Sequence, residues 1–385
     1  MKMALDRRTF LGGAAGAIAL IAAPHIAVAQ AATDRRFVFI IQRGAADGLG
    51  TLAPTADPAF AGLRGAFAED FAAGARLGDF TLHPNLAQAA QLYQAREALF
   101  VHAVASPYRD RSHFDGQNVL ETGGNAAYAL RDGWMNRLLT LLPANDSRAI
   151  AVSATVPVVL RGSREVASFA PSALPDASDD LLARVGNLYA QDQELHAAWD
   201  QAMQTRTMAG DLSANNGQNG AATGALAARL LSGADGARVA VIETGGWDTH
   251  ANQRGRLGFQ LRGLDAMIGA LKTGLGPDWS NTLVLVATEF GRTAAPNGTG
   301  GTDHGTASLA MLFGGAVAGG RVVSDWPGLG TSALYEGRDL KPTLDLDLLI
   351  ASAVSEHYRL DPARTSRTLF PNIATARPVE NLIRT

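Results

Sequence analysis

The sequence predicts an α/β fold built on a doubly wound, mainly parallel sheet with helices on both faces. Short apolar runs recur along the chain, helical periodicities lie between several of them, and clusters of glycine with acidic and histidine residues follow the runs. The runs are Arg36–Gln42, Leu99–Val104, Ala149–Val152, Val239–Ile242 and Thr282–Ala287. A continuous rather than alternating apolar run of this length marks a strand buried on both faces. The clearest helix is carried by Leu257, Leu261, Leu264, Ile268 and Leu271, whose spacing of three and four lines one face. Strands alternating with helices give a parallel sheet covered on both sides. Residues from about 171 to 238 depart from this pattern. Asp179-Asp180, Gln191 to Glu194 and the Asn/Gly-rich 215–220 interrupt Ala-rich pieces, which predicts a helical insertion with a mobile loop. A further helix is expected over Asp345–His357, followed by an irregular, proline-bearing end.

The first thirty residues carry a basic start (Lys2, Arg7, Arg8), an apolar stretch from Leu11 to Ala23, and Ala27-Val28-Ala29. That order spells an export signal, with cleavage expected after Ala29. The run Asp6-Arg7-Arg8-Thr9-Phe10-Leu11 has the twin-arginine pattern of cargo exported folded, which places the protein in the periplasm or outside the cell. Gly12, Gly13, Gly16 and Pro24 break the apolar stretch, and it falls short of the about 20 residues of a membrane span. Residues 30–385 are expected as one α/β domain in water. The chain has no cysteine, which excludes disulfides, thiolate metal sites and a cysteine nucleophile. A formal charge of −3 with both signs spread along the chain offers no footprint for nucleic acid and no polybasic face for lipid.

In open α/β sheets functional groups gather beyond the carboxyl ends of the strands. After the first run comes Arg43-Gly44-Ala45-Ala46-Asp47-Gly48, after the fourth Glu243 to His250, and after the fifth Thr288 to Thr293; a glycine loop then leads to Thr302-Asp303-His304-Gly305. Carboxylate oxygen and imidazole nitrogen together suit divalent cations. Asp47 or Glu289 alone reads as a cap or turn residue. The pairs Asp248/His250 and Asp303/His304 are harder to assign to caps in a chain of eight histidines. His83 and His102 stay outside the candidate set, since a histidine beside an apolar run is usually a satisfied core residue. Tyr108 to Asp115 forms another constellation. Ser112 is a candidate nucleophile if His113, Asp115 or a cation activates it, and Arg109 and Arg111 can clamp an anionic ester through paired hydrogen bonds. The same stretch equally reads as a helix start with Ser112 at the cap and Asp115 at its third position. The chain lacks a Gly-x-Ser-x-Gly elbow, a P-loop and a Gly-x-Gly-x-x-Gly after the first run, which removes the usual support for esterase, nucleotide-triphosphatase and dinucleotide readings.

The ordered motifs Arg43 to Leu49, Leu82-His83-Pro84, Arg111 to Asp115, Gly245 to His250, Glu289 to Thr293 and Gly301 to Gly305 closely resemble the exported family called domain of unknown function 1501. That family is similar to a distant branch of the alkaline-phosphatase and sulfatase superfamily, which implies an alkaline-phosphatase-like core and one or two divalent metal ions. The resemblance implies Asp47 as a first metal-binding aspartate, Asp248 with His250 as a middle pair, and His304 as a late histidine with Asp303 as a possible replacement ligand. Glu289-Phe290-Gly291 falls where the superfamily carries Asp-His-Gly, so Phe290 takes the place of a metal-binding histidine. Ser112 resembles the nucleophile in placement. Members are often encoded beside the exported family domain of unknown function 1800, which implies a possible partner from it.

Two functions follow. The first is an exported metal-dependent hydrolase or transferase of phosphate or sulfate esters. Asp47, Asp248, His250, Glu289, Asp303 and His304 would hold one or two divalent ions. Ser112, with His113 and Arg111, would act on a small anionic ester that Arg109 and Arg292 steady. The alternative is a catalytically silent binding or scaffold protein of the same fold in envelope assembly, holding a glycan, an anion or a partner, for which Phe290 is the best support.

Overall fold

A computed structural model describes residues 34–143, 148–170, 179–190, 192–209, 219–373 and 377–384. The segment read as an export signal and most of the Asn/Gly-rich loop at 215–220 lie outside the described residues. The strands are β1 (Arg36–Gln42), β2 (Leu52–Ala53), β3 (Ala75–Leu77), β4 (Phe80–Leu82), β5 (Ala98–Ala105), β6 (Ala149–Val152), β7 (Ala167–Ser168), β8 (Val239–Thr244), β9 (Thr282–Thr288), β10 (Ser308–Phe313), β11 (Arg321–Val323) and β12 (Leu344–Asp345). Nine of them form one sheet in the order β11-β5-β10-β9-β1-β8-β6-β7, with β12 also paired to β5. All pairings in it are parallel except those of β10, which runs antiparallel to both neighbours. A separate antiparallel sheet has the order β2-β4-β3.

The five apolar runs are β1, β5, β6, β8 and β9. Their continuous hydrophobicity has the expected cause, because both faces of the sheet are covered. Along β1, Phe37, Phe39 and Ile41 join a core with Trp134 and with Leu349 and Val354 of the Leu346–Tyr358 helix. Val38 and Ile40 point the other way, into a core with Leu226, Leu261, Leu264 and Ile268. The periodic helix spans Gln253–Leu275, and the tail helix spans Leu346–Tyr358 behind an Asp345 cap that accepts from Leu348 N at 3.0 Å. The segment read as an insertion contains the helices Asp179–Tyr189, Gln193–Ala209 and Gly220–Leu231. The last packs so tightly on the Gln253–Leu275 helix that a Cβ on Gly224 would stand 2.2 Å from Met267 O.

Three features differ from the sequence expectation. β10 has the composition Ser-Leu-Ala-Met-Leu-Phe, without the β-branched residues that marked the five apolar runs. The strands of the small sheet are two or three residues long, too short for a period to show. The proline-bearing tail, expected as irregular, contains the helix Pro362–Leu369: Pro362 opens it, where a missing N–H costs nothing, and Asp361 caps it by accepting from Arg364 N at 2.6 Å. Among the described residues no helix is long and apolar enough to cross a membrane.

Two buried histidines tie elements together. His102 on β5 lies 2.8 Å from Leu52 O through Nε2 and accepts from Ala103 N through Nδ1, which joins the small sheet to the large one. His357 Nε2 lies 2.9 Å from Arg36 O at the start of β1. Burial pulls their pKa values down, to about 4 for His102 and about 3 for His357. Both are neutral when folded and take up a proton on unfolding below the ordinary value of about 6.5. Their contribution to stability is therefore complete above pH ~6.5 and drains as pH falls through that value toward 4 and 3. Urea unfolding of wild type should lose stability between pH about 6.5 and 4.5, and His102→Gln, though less stable at neutral pH, should show a shallower slope in that window. An unchanged slope would refute the assignment.

Candidate metal centre

The rim formed by the carboxyl ends of β1, β5, β8 and β9 gathers the candidate residues, because the loops after these strands all emerge there. The loop after β5 ends at Ser112, where the His113–Thr122 helix begins. Asp248 and His250 follow β8, Glu289 follows β9 directly, and Asp303 and His304 lie in the loop that returns to the antiparallel β10. Gly44, after β1, has φ +117°, and a Cβ there would stand 2.6 Å from Asp248 N. Only glycine lets these two loops close on one another.

Asp248 stands at the middle of three imidazoles. Its Oδ1 lies 3.1 Å from His250 Nε2 and 3.5 Å from His304 Nε2, and its Oδ2 lies 3.4 Å from His113 Nε2. His250 Nε2 and His304 Nε2 are 3.0 Å apart. Among the described residues, His113, Asp248 and His304 offer donor atoms that all lie within 4.8 Å of one another. Each ring is fixed from behind. Glu289 Oε1 lies 2.8 Å from His113 Nδ1, Asp303 Oδ1 lies 3.2 Å from His250 Nδ1, and the Arg111 carbonyl lies 2.8 Å from His304 Nδ1. These partners can only accept, so each Nδ1 carries the proton and each neutral ring turns a bare Nε2 lone pair toward Asp248. Two bare nitrogens 3.0 Å apart repel each other unless a positive charge lies between them. His113 Nε2 is buried without a hydrogen-bond partner, its contact with Asp248 being one of charge at 3.4 Å.

A divalent cation fits this donor set. Nitrogen and oxygen ligands about 2.0–2.2 Å from a tetrahedral ion stand about 3.3 Å from each other, and the separations above fall around that value. The outer partners are those that metal-binding histidines ordinarily have. Glu289 is fully buried and also accepts from Gly44 N at 2.9 Å and Gln117 Nε2 at 3.2 Å. Burial works to raise its pKa, but the bonds from His113, Gly44 and Gln117 outweigh burial and hold it below the usual range. Burial also acts against ionised Asp248, yet the bond and charge of Arg292, with help from His250 and His113, leave its pKa lowered. The Glu289 bond raises the His113 pKa, whereas burial lowers that of His304. Phe290 closes one side, stacked on His113 at 5.1 Å between ring centroids and 5.3 Å from His304.

The sequence profile of the DUF1501 family, described as proteins of unknown function, matches residues 71–369, a span that encloses all four residues of this centre. The chain belongs to that family. No match was found among curated proteins. Solved structures similar to this DUF1501 chain include the phosphonate monoester hydrolase of Agrobacterium radiobacter, at 11% identity over 75% of this chain and 70% of that one, with a TM-score of 0.36. Alkaline phosphatase from the Antarctic bacterium TAB5 is similar at 13% identity over 74% and 92%, with a TM-score of 0.34. The C-terminal periplasmic domain of EcEptC from Escherichia coli, solved in complex with Zn, is similar at 9% identity over 91% and 92%, with a TM-score of 0.37.

Of the sequence candidates in this DUF1501 chain, Asp248, His250 and His304 meet in the centre, while Glu289 and Asp303 stand behind His113 and His250. Asp47 is buried elsewhere on the rim, with Oδ2 2.5 Å from both Arg64 Nη2 and Gln253 Nε2. His113, read from sequence as an activating base, supplies a third imidazole. Phe290 is the surface on which that imidazole packs. Ser112 occupies the N-cap position, but its hydroxyl makes no capping bond; its N–H donates to Tyr108 Oη at 3.1 Å. The three arginines read as anion clamps all bond to protein acceptors. Arg109 holds the Ser106 and Tyr108 carbonyls, Arg111 holds Glu336 and Asp339, and buried Arg292 holds Asp248 and the Thr302 carbonyl. His83 accepts from Asn85 N and His102 sits in the core, both outside the centre.

In metal-free protein, histidine NMR should show His113 titrating above and His304 below the ordinary value of about 6.5. Cation binding must displace the proton from His113 Nε2, so affinity should fall as pH drops through that raised value. Identical titration of the two rings would contradict this geometry.

Proposed function

We propose that this protein is an exported, metal-dependent hydrolase or transferase acting on phosphate or sulfate esters. One divalent ion would be held by His113, Asp248 and His304, with His250 as a fourth ligand. The observation that carries the reading is the convergence of three imidazole Nε2 atoms, each ring held by an acceptor on its far nitrogen, around one carboxylate. A bound ion would supply Lewis-acid stabilisation of charge developing on the transferred group. The chain's own residues supply orientation and charge. Arg292 balances Asp248, while Glu289 and Asp303 stand behind His113 and His250, so neutral imidazoles would present the ion to an anionic ester. The first turn of the His113–Thr122 helix adds its N–H groups, the positive end of the helix dipole, beside that centre. Phe290 and the buried Glu289 keep water from the inner side. Ser112, between the residue whose carbonyl orients His304 and the ligand His113, is the hydroxyl proposed to accept the transferred group. The ester class rests on the motif resemblance, and export on Arg7-Arg8 and the segment that follows.

The test is metal analysis of protein purified from the periplasm, with turnover of aryl phosphates and aryl sulfates in added Zn²⁺, Mn²⁺ or Mg²⁺. About one ion per chain is expected. His304→Ala and Asp248→Ala should lose the ion and reduce kcat/KM by more than the about 100-fold typical of outer-sphere changes. Ser112→Ala should keep the ion and lose group transfer. Protein that carries no ion and turns over neither ester class would sink the proposal and favour a binding role for the same cleft.

A further inference from the structure

A line of buried polar side chains runs from Asp47 to Asp248. Arg64 Nη2 donates to Asp47 Oδ2 at 2.5 Å, and Gln253 Nε2 donates to the same oxygen at 2.5 Å. Gln253 Oε1 accepts from Thr302 Oγ1 at 2.6 Å and from Thr249 Oγ1 at 2.9 Å. Thr302 Oγ1 in turn accepts from Arg292 Nε at 3.1 Å, and Arg292 Nη1 donates to Asp248 Oδ1 at 2.6 Å. Arg64, Asp47, Gln253, Thr302 and Arg292 are each at most 1% exposed.

We infer that Asp47 is a positioning residue for the metal centre, acting through Gln253, Thr302 and Arg292 to aim the Asp248 carboxylate; the inference rests on the centre binding a cation as proposed above. Every bond in the line has one possible direction. A carboxylate only accepts, so Asp47 makes Gln253 present its amide N–H₂ to it and its carbonyl oxygen to Thr302. That oxygen takes the single Thr302 hydroxyl proton, which leaves the Thr302 lone pair toward Arg292 Nε. The guanidinium is thereby held with Nη1 on Asp248 Oδ1, and Oδ2 faces His113. Asp47→Ala breaks the sequence at its source. Arg64 and Gln253 donate to the same Asp47 oxygen, so an amide there would keep its carbonyl toward both; with no acceptor at position 47, Gln253 is free to turn its amide over and meet the Thr302 hydroxyl with a donor. The shell around a bound ion sets its affinity and geometry, so the effect of Asp47 should be read at the metal.

The experiment is titration of metal-stripped protein with Co²⁺, followed by its visible absorption bands, in wild type, Asp47→Ala, Thr302→Val and Thr302→Ser. Wild type is expected to bind and show the bands. Thr302→Val and Asp47→Ala should weaken Co²⁺ binding by about 10- to 100-fold and alter band positions, while Thr302→Ser restores both. Thermal melts of the stripped proteins identify any variant that fails to fold, and the valine/serine pair keeps the test open if Asp47→Ala is one. Wild-type affinity and bands in a folded Thr302→Val overturn the inference while leaving the centre intact. Absence of Co²⁺ binding by wild type overturns the centre and the inference with it.

Discussion

The organisation of this rim depends on one carboxylate having two kinds of partner. Asp248 Oδ1 bonds to Arg292, and its two oxygens lie among three imidazole nitrogens that carry no proton in the neutral rings. An arginine this deeply buried cannot shed its proton, so it needs an anion. The imidazoles, each fixed by an acceptor on Nδ1, repel one another unless a cation or proton lies among them. Remove Arg292 and Asp248 loses the bond that keeps it ionised against burial. Remove Asp248 and a guanidinium is stranded inside the protein. The surrounding loops are shaped to bring these groups together, as the approach of Gly44 to the Asp248 backbone shows.

Much of the fold was legible because the parallel strands are buried on both faces. Phe37 and Val38 serve opposite cores, so β1 could not alternate polar and apolar residues and read instead as one hydrophobic run. β10 was not legible because Leu, Ala and Met dominate it and it lies within a glycine-rich stretch. The rim was legible at its strand ends, since Asp248 and Glu289 follow β8 and β9 closely. What sequence could not give is the assignment of roles. Asp303 and His304 are adjacent, yet one backs His250 and the other faces the centre, because neighbouring side chains in an extended loop point apart. His113 adjoins a serine and lies at a helix start, so the sequence reads it as an activating base. Only the fold shows its Nε2 turned toward Asp248.

The position of Phe290 has a physical explanation in the same terms. Direct succession to β9 places Glu289 inward and fully buried, and the next side chain lies flat against His113 and His304. A histidine at 290 would add another polar ring in a place where Ala45, Tyr108 and Val119 form an apolar patch with little to pair it. With phenylalanine there, His113 has an apolar floor, and its orientation is set entirely by the Glu289 bond at its edge.

The two sides of the centre differ in a way that bears on access. His113 is 22% exposed and its partner Glu289 is sealed, whereas His250 is 45% exposed and its partner Asp303 is 59% exposed. Solvent screens the His250–Asp303 contact, so little free energy holds that ring in place, while the buried His113–Glu289 pair is screened far less. The two flanks of the centre are thus held unequally, His113 against a sealed carboxylate and His250 against an open one. Solvent therefore reaches the centre more readily beside His250 than beside His113, whose ring lies on Phe290.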